Sequence, residues 1–318
     1  MKKKLIITFA VFCLVCGAPV SVPVFGQNKT DLKGEQKMDR IELYKKQYAE
    51  LFGGEALSDA GSDPELMGIL QKFIFGEVFY VGKLDTKVRE MITIVTLTTQ
   101  QTLSQLKSHT KAALNIGVSP VQIREAVYQC APFIGFPKTL NAVNTINEVF
   151  VERGIKLPLE KQGTVAENER YRKGKEIQYP LYGDEIKEAT KNLPDGMGED
   201  VSPFLTEMCF GDFYTRMGLD VKTRELLMLC VLTTLGAEKQ IRAHAIGNIK
   251  AGNSKETLIA ALVQCLPYIG FPNTLNAINI VQAIEYFIMH REVWNNTLNR
   301  KFFLPLLPDL TEAVEKAG

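Results

Sequence analysis

Apolar residues in this chain recur at intervals of three and four, the spacing of one face of an α-helix rather than of a strand. From Asp39 onward Ile41, Leu43, Tyr44, Tyr48, Leu51 and Phe52 share a face that Gly53 and Gly54 bring to an end. Lys87 to Thr99 is apolar at almost every position after its first turn, which predicts a helix buried on most sides. Leu103, Leu106, Thr110, Ala113 and Leu114 predict a second helix, closed by Gly117. Ser119, Pro120 and Gln122 supply an N-cap, a proline in the first turn and a Gln three residues after the cap. A third helix therefore starts here and runs to about Phe133. Gly135 and Phe136 break it, and Pro137 opens a fourth that ends near Gly154. No stretch alternates with a period of two, so the reading is all-α.

The pattern returns 135 positions later without a gap. Gly76 pairs with Gly211, Glu90 with Glu225, His109 with His244, Cys130 with Cys265 and Pro137 with Pro272. A lead-in helix precedes each copy, Tyr171 to Tyr182 being the second, but there the offset is 130, so the spacer behind it varies. The chain divides into a first domain at 38–155, a charged linker with Pro158 and Gly163 at 156–168, a second domain at 169–295 and a tail at 296–318. Gly196 to Pro203 reads as a further loop-rich stretch. The tail, with Phe302, Phe303, Leu304, Leu306 and Leu307, is expected to cover a neighbouring surface.

Length and composition agree with two globular domains: 318 residues, 46% hydrophobic and 23% charged. A formal net charge of +1 provides no broad basic field, which argues against a nucleic-acid partner. No zinc-type spacing, phosphate loop or serine-nucleophile elbow occurs, so the sequence calls for no metal and no cofactor. Residues 1–26 read as an export signal: Lys2, Lys3 and Lys4 precede an apolar run from Leu5 to Val15 that is short for a membrane span. Cleavage before Gln27 would leave a periplasmic or secreted protein without stable membrane insertion; lipidation at Cys16 and a retained anchor are the alternatives. Cys130, Cys209, Cys230 and Cys265 remain, each among apolar neighbours, and read as buried thiols rather than bridges.

Glu90 and His109 stand almost symmetrically about the turn at Thr99 to Thr102, as do Glu225 and His244 in the second copy. In an antiparallel helix pair each then lies about 14 Å from the turn, at ~1.5 Å per residue, and at the same height. A carboxylate that orients an imidazole is a standard acid/base unit, although Glu–His pairs also serve as plain polar clips.

The run Lys222, Thr223, Arg224, Glu225, then Leu235, Gly236, Ala237 and Ile241 to His244, followed by Gly270 to Asn276, resembles the carboxymuconolactone decarboxylase family. Lys87 to Glu90, His109 and Gly135 to Pro137 match the same pattern in the first copy. The resemblance implies the helical fold of alkylhydroperoxidase D, with two tandem domains forming an internal pseudo-dimer and chains assembling into a trimer. It also implies that Glu90, His109, Glu225 and His244 flank the active sites. It further implies a small carboxylate or lactone as substrate.

Two departures bear on activity. The peroxidase branch of that superfamily needs a CxxC, and here its positions hold Thr102 and Gln105, and Ala237 and Gln240. Where the decarboxylase branch commonly has a Glu, Gln105 and Gln240 can hydrogen-bond a substrate carbonyl but cannot carry a proton. Arg89, Arg224 and Arg242 are candidates to hold a spectator carboxylate; for Arg89 and Arg224 a solvated face or an ion pair to Asp85 or Asp220 is the alternative. Arg242, with only Lys107 in the first copy, favours Glu225 and His244 as the working pair. Three activities stay open: a cofactor-free carboxy-lyase, an alkylhydroperoxidase-like antioxidant, and a non-catalytic binding module.

Overall fold

The computed structural model describes residues 39–54 and 62–284. The expected signal, the tail and the last part of the second domain lie outside the described residues. All regular structure among the described residues is helical.

The first repeat opens with α1 (Arg40–Phe52), started by a capping box between Asp39 and Glu42 and stopped by Gly53. α2 (Pro64–Gly76) crosses it closely, because Gly76 faces the Arg40 carbonyl where a Cβ would sit 2.5 Å away. Gly211 makes the same approach to Arg170 in the second repeat, at 2.6 Å. α3 (Thr86–Gln100), capped by Asp85, and α4 (Leu103–Asn115) form the antiparallel pair. α5 (Pro120–Tyr128), α6 (Ala131–Ile134) and α7 (Phe136–Glu152) complete the repeat. The third expected helix is thus interrupted at Gln129 and Cys130, just ahead of Pro132. The second repeat keeps the equivalent Pro267 inside one helix.

That repeat consists of α8 (Arg170–Tyr182), α9 (Glu185–Thr190), α10 (Met197–Phe204), a π-helical stretch at Leu205–Tyr214, α11 (Val221–Leu235), α12 (Glu238–Lys250), α13 (Lys255–Ile269) and α14 (Phe271–Gln282). Gly196 to Pro203, expected as loop, is largely helical: α10 begins at Met197 with Glu199 and Asp200 in its first turn and packs on α9. Pro203 is accommodated where α10 widens into the π-helical stretch.

One core runs through both repeats, from Ile92, Val95 and Ile146 to Leu227, Val231 and Leu262. α3 packs on both α11 and α13. Across this junction the buried Arg89 reaches Gln264 at 3.2 Å, and the buried Arg224 reaches Gln129 at 3.1 Å. Each guanidinium also holds the carbonyls of the loop before its own helix: Val78, Val81 and Gly82 for Arg89, and Arg216, Met217 and Leu219 for Arg224. Neither expected setting of these arginines, a solvated face or an Asp ion pair, occurs; Asp85 and Asp220 cap their helices instead. Burial pulls both guanidinium groups below the ordinary arginine value, Arg89 to about 10. At Arg224 the neighbouring Glu125, which also holds Arg216 through two bonds of 2.8 and 2.9 Å, opposes that shift.

Replacing Arg89 with Leu strands three carbonyls and Gln264. The expected loss is on the order of 3 kcal/mol in urea unfolding monitored by circular dichroism. Arg224→Leu should cost at least as much, because it also deprives Glu125 of a cation.

Candidate active site

The antiparallel pairs bring the predicted acid and base together in both repeats. His109 Nδ1 lies 2.9 Å from Glu90 Oε2, and His244 Nδ1 lies 3.2 Å from Glu225 Oε2. An ionised carboxylate only accepts, so Nδ1 carries the hydrogen and Nε2 is the nitrogen left to meet another molecule. Both carboxylates are fully buried, whereas the imidazoles keep 10% and 13% of their side-chain surface. Each unit is therefore reached from its imidazole side.

Aromatic rings enclose the imidazoles, and part of each enclosure comes from the other repeat. Around His109 stand Phe52 of α1 at 5.7 Å and Tyr268 of α13 at 5.7 Å, both edge-on. Around His244 stand Tyr182 of α8 at 5.3 Å and Phe133 of α6 at 5.5 Å. Phe133 and Tyr268 occupy equivalent positions, so each repeat lends a ring to its neighbour's histidine.

Polar partners differ sharply between the units. Tyr182 donates to Glu225 Oε2 at 2.5 Å, and its oxygen stands 3.0 Å from His244 Nδ1, placed to accept that N–H. The π-helical stretch delivers Tyr214, which donates to Glu225 Oε1 at 2.7 Å. Asn248 ties the backbone carbonyls of Glu225 and His244 together, at 2.9 and 2.8 Å. In the first unit Phe52 and Phe79 stand where those tyrosines do, and Glu90 Oε1 is buried without a hydrogen-bond partner. These tyrosines lie outside the residues singled out from the sequence. A comparison of the copies for hydroxyls gained or lost at equivalent aromatic positions would have found Tyr214 and Tyr268.

The remaining candidates are not drawn into the units in the same way. Gln105 and Gln240, one turn before the histidines, are exposed, and Gln105 accepts from Ser104. Arg242 lies on the exposed face of α12. Arg89 and Arg224 precede the glutamates in sequence but turn into the repeat junction described above. A surface hollow of about 460 Å³ is formed by Tyr171, Arg172, Lys175, Glu176 and Tyr179 of α8, none of which belongs to either unit.

Comparison with known proteins identifies the family. The profile of the carboxymuconolactone decarboxylase family matches residues 64–148 and 199–283, just over half of the chain. The chain belongs to that family. Each match contains one complete Glu–His pair but excludes the lead-in helices that carry Phe52 and Tyr182. A 4-carboxymuconolactone decarboxylase of Acinetobacter baylyi is 27% identical over 119 residues, covering 37% of this chain and 88% of that protein. Nitrosuccinic acid decarboxylase npaB of Metarhizium robertsii is 32% identical over 90 residues, covering 27% of this chain and 62% of that protein. A solved structure assigned to the gamma-carboxymuconolactone decarboxylase subunits, from Burkholderia xenovorans, aligns with 89% of this chain and 100% of its own at 17% identity, with a TM-score of 0.44.

The family member described here keeps all four described cysteines buried and unbridged. Burial raises the Cys130 and Cys209 thiols, and Cys265 together with burial raises Cys230. Burial, followed by the Glu225 charge, raises Tyr182 and Tyr214 as well. Unfolded thiols ionise near ~8.5 and phenols near ~10, so the native state holds these protons longer than the unfolded one. Their contribution to stability is complete below about pH 8.5 and is lost as pH rises from there. The urea midpoint should fall between about pH 8 and pH 10, and iodoacetamide should label these cysteines at about pH 8 only after denaturation.

Proposed function

We propose that the protein is a cofactor-free decarboxylase acting on a small carboxylated lactone or a related enolisable acid. The observation that carries this reading is the carboxylate–imidazole contact in both repeats, at 2.9 and 3.2 Å, beneath an aromatic enclosure. Relatives named for decarboxylation of two different small acids support the reaction type more than any one substrate.

In this scheme the bond to the departing carboxylate breaks, and its electron pair passes into the conjugated carbonyl as CO₂ leaves. Nε2–H of the imidazole protonates the resulting dienolate at carbon, and the imidazole regains its proton from solvent. Glu90 or Glu225 fixes the ring through Nδ1 and offsets the charge that it carries before transfer. The aromatic rings keep water from the dienolate. Gln105, Gln240 and Arg242 are the rim contacts for a substrate carbonyl or carboxylate. Arg89 and Arg224 are committed to their own loops and serve the reaction only by fixing the helices that bear the glutamates.

An antioxidant role finds no support in the described thiols, which are all buried, with burial raising those of Cys130 and Cys209. The N-terminal pattern supports a periplasmic or secreted protein. The equivalent exposed pairs Phe136 with Leu140 and Phe271 with Leu275 support self-association, and the family resemblance suggests a trimer of two-domain chains.

Purified protein should release CO₂ from 4-carboxymuconolactone or a related carboxylated lactone. His→Gln at a working pair should lower kcat by ~10²–10⁴-fold with the fold intact. Loss of no activity in either His109→Gln or His244→Gln, singly or together, would remove the acid/base assignment. Peroxide consumption should be unchanged when the four described cysteines are replaced by Ala.

A further inference from the structure

We propose that the two Glu–His units have separate tasks: Glu90 and His109, completed by Tyr268 from the second repeat, bind the small molecule, and Glu225 and His244 form a closed internal copy. This rests on the reading that a Glu–His unit receives a small enolisable acid, and it names the unit and the third group that does so.

Hydrogen-bond accounting separates the units. Glu225 has both oxygens occupied, by Tyr214 on one and by Tyr182 and His244 on the other. Tyr182 further shares the His244 Nδ1 hydrogen, so donors and acceptors are matched within the unit. In the first unit only Glu90 Oε2 is engaged, by His109. Glu90 Oε1 and the Tyr268 hydroxyl are both buried without a well-formed hydrogen bond, although Tyr268 lies beside Thr93. Burial, followed by the Glu90 charge, raises the Tyr268 phenol, which keeps it a donor. Two such orphans beside the same pair of aromatic rings cost about 1–3 kcal/mol each unless a bound molecule answers them.

The difference is built in by a matched set of substitutions. Gly247 leaves room for the Tyr182 hydroxyl, since a Cβ there would lie 2.6 Å from that oxygen. The equivalent position in the first repeat is the fully buried Ala112, and the ring below it is Phe52. Phe79 in place of Tyr214 removes the second hydroxyl. The first unit thus lacks the two tyrosine donors that saturate Glu225.

Its chemistry specifies what it takes. A molecule with an enol or acid hydroxyl can donate to Glu90 Oε1, while a carbonyl oxygen accepts from Tyr268 and, in the imidazolium form, from His109 Nε2–H. This order reverses the preference for the second unit that Arg242 suggested.

The test uses the full chain labelled with ¹⁵N-histidine, with imidazole signals assigned through His109→Gln and His244→Gln. Acetylpyruvate, which is enolic in water and has no carboxylate placed to leave, is the probe. The His109 signals should shift saturably while those of His244 stay in place. Tyr268→Phe should weaken binding about tenfold with an unchanged melting temperature, the loss expected for one hydrogen bond of ~1.4 kcal/mol. The triple change Phe52→Tyr, Phe79→Tyr, Ala112→Gly, which rebuilds the closed arrangement, should abolish the His109 response. The proposal is overturned if His244 shifts at equal or lower probe concentration, if neither histidine shifts, or if Tyr268→Phe binds as the parent does. Lactone decarboxylation lost in His244→Gln but kept in His109→Gln would overturn it while leaving the decarboxylase reading standing. Absence of any turnover together with a His109-specific shift would do the reverse.

Discussion

Two buried guanidinium groups set the conditions for everything else in this fold. Arg89 and Arg224 are taken out of water, and each is satisfied by carbonyls of the loop ahead of its helix and by a glutamine from the opposite repeat. A buried cation with five fixed donors tolerates little displacement, since every lost partner exposes a full desolvation cost. The arginines therefore lock loop, helix and repeat junction into one register. The glutamates next to them in sequence inherit that precision, and the helices they stand on bring the histidines to hydrogen-bonding distance.

The two arginines are not held alike. Arg224 shares Glu125 with Arg216, and this anion offsets part of the cost of burying the charge. At the pseudo-equivalent place Ala260 packs against Gly82, where a Cβ would sit only 2.6 Å away, and Arg89 relies on neutral partners. The duplication thus preserved the geometry of the clasp and let its electrostatics diverge. The same division appears at the histidines, where one carboxylate is saturated by tyrosines and the other is left with an open oxygen.

Local signals carried the fold far. The Ser119 cap, the glycine stops and the helical periodicity placed α1, α3, α4, the start of α5 and α7, whereas α2 and α9 went unread. The symmetry of Glu90 and His109 about a turn was enough to bring them together. Long-range satisfaction was not legible. Arg89 is a charge in a sequence that gives no sign of Gln264, 175 positions away, so a substrate carboxylate, solvent and a nearby aspartate are the partners it suggests. Helical structure from Met197 to Phe204 was hidden because glycine and proline mark loops in isolation, whereas here α9 supports the turn and a π-helical stretch continues it. The aromatic enclosure escaped for another reason: Phe and Tyr share ring size and shape, and only coordinates show whether the hydroxyl meets a carboxylate.

The exchange of Phe133 and Tyr268 between repeats has an evolutionary consequence. In an assembly of identical subunits, any change to a borrowed wall is imposed on every chamber at once. Once two copies are joined in a single gene, a substitution late in the chain alters the early chamber alone, leaving that chamber's own acid and base untouched. Fusion therefore frees selectivity to drift separately from the reactive groups, and lets one half keep an ancestral arrangement while the other explores new chemistry.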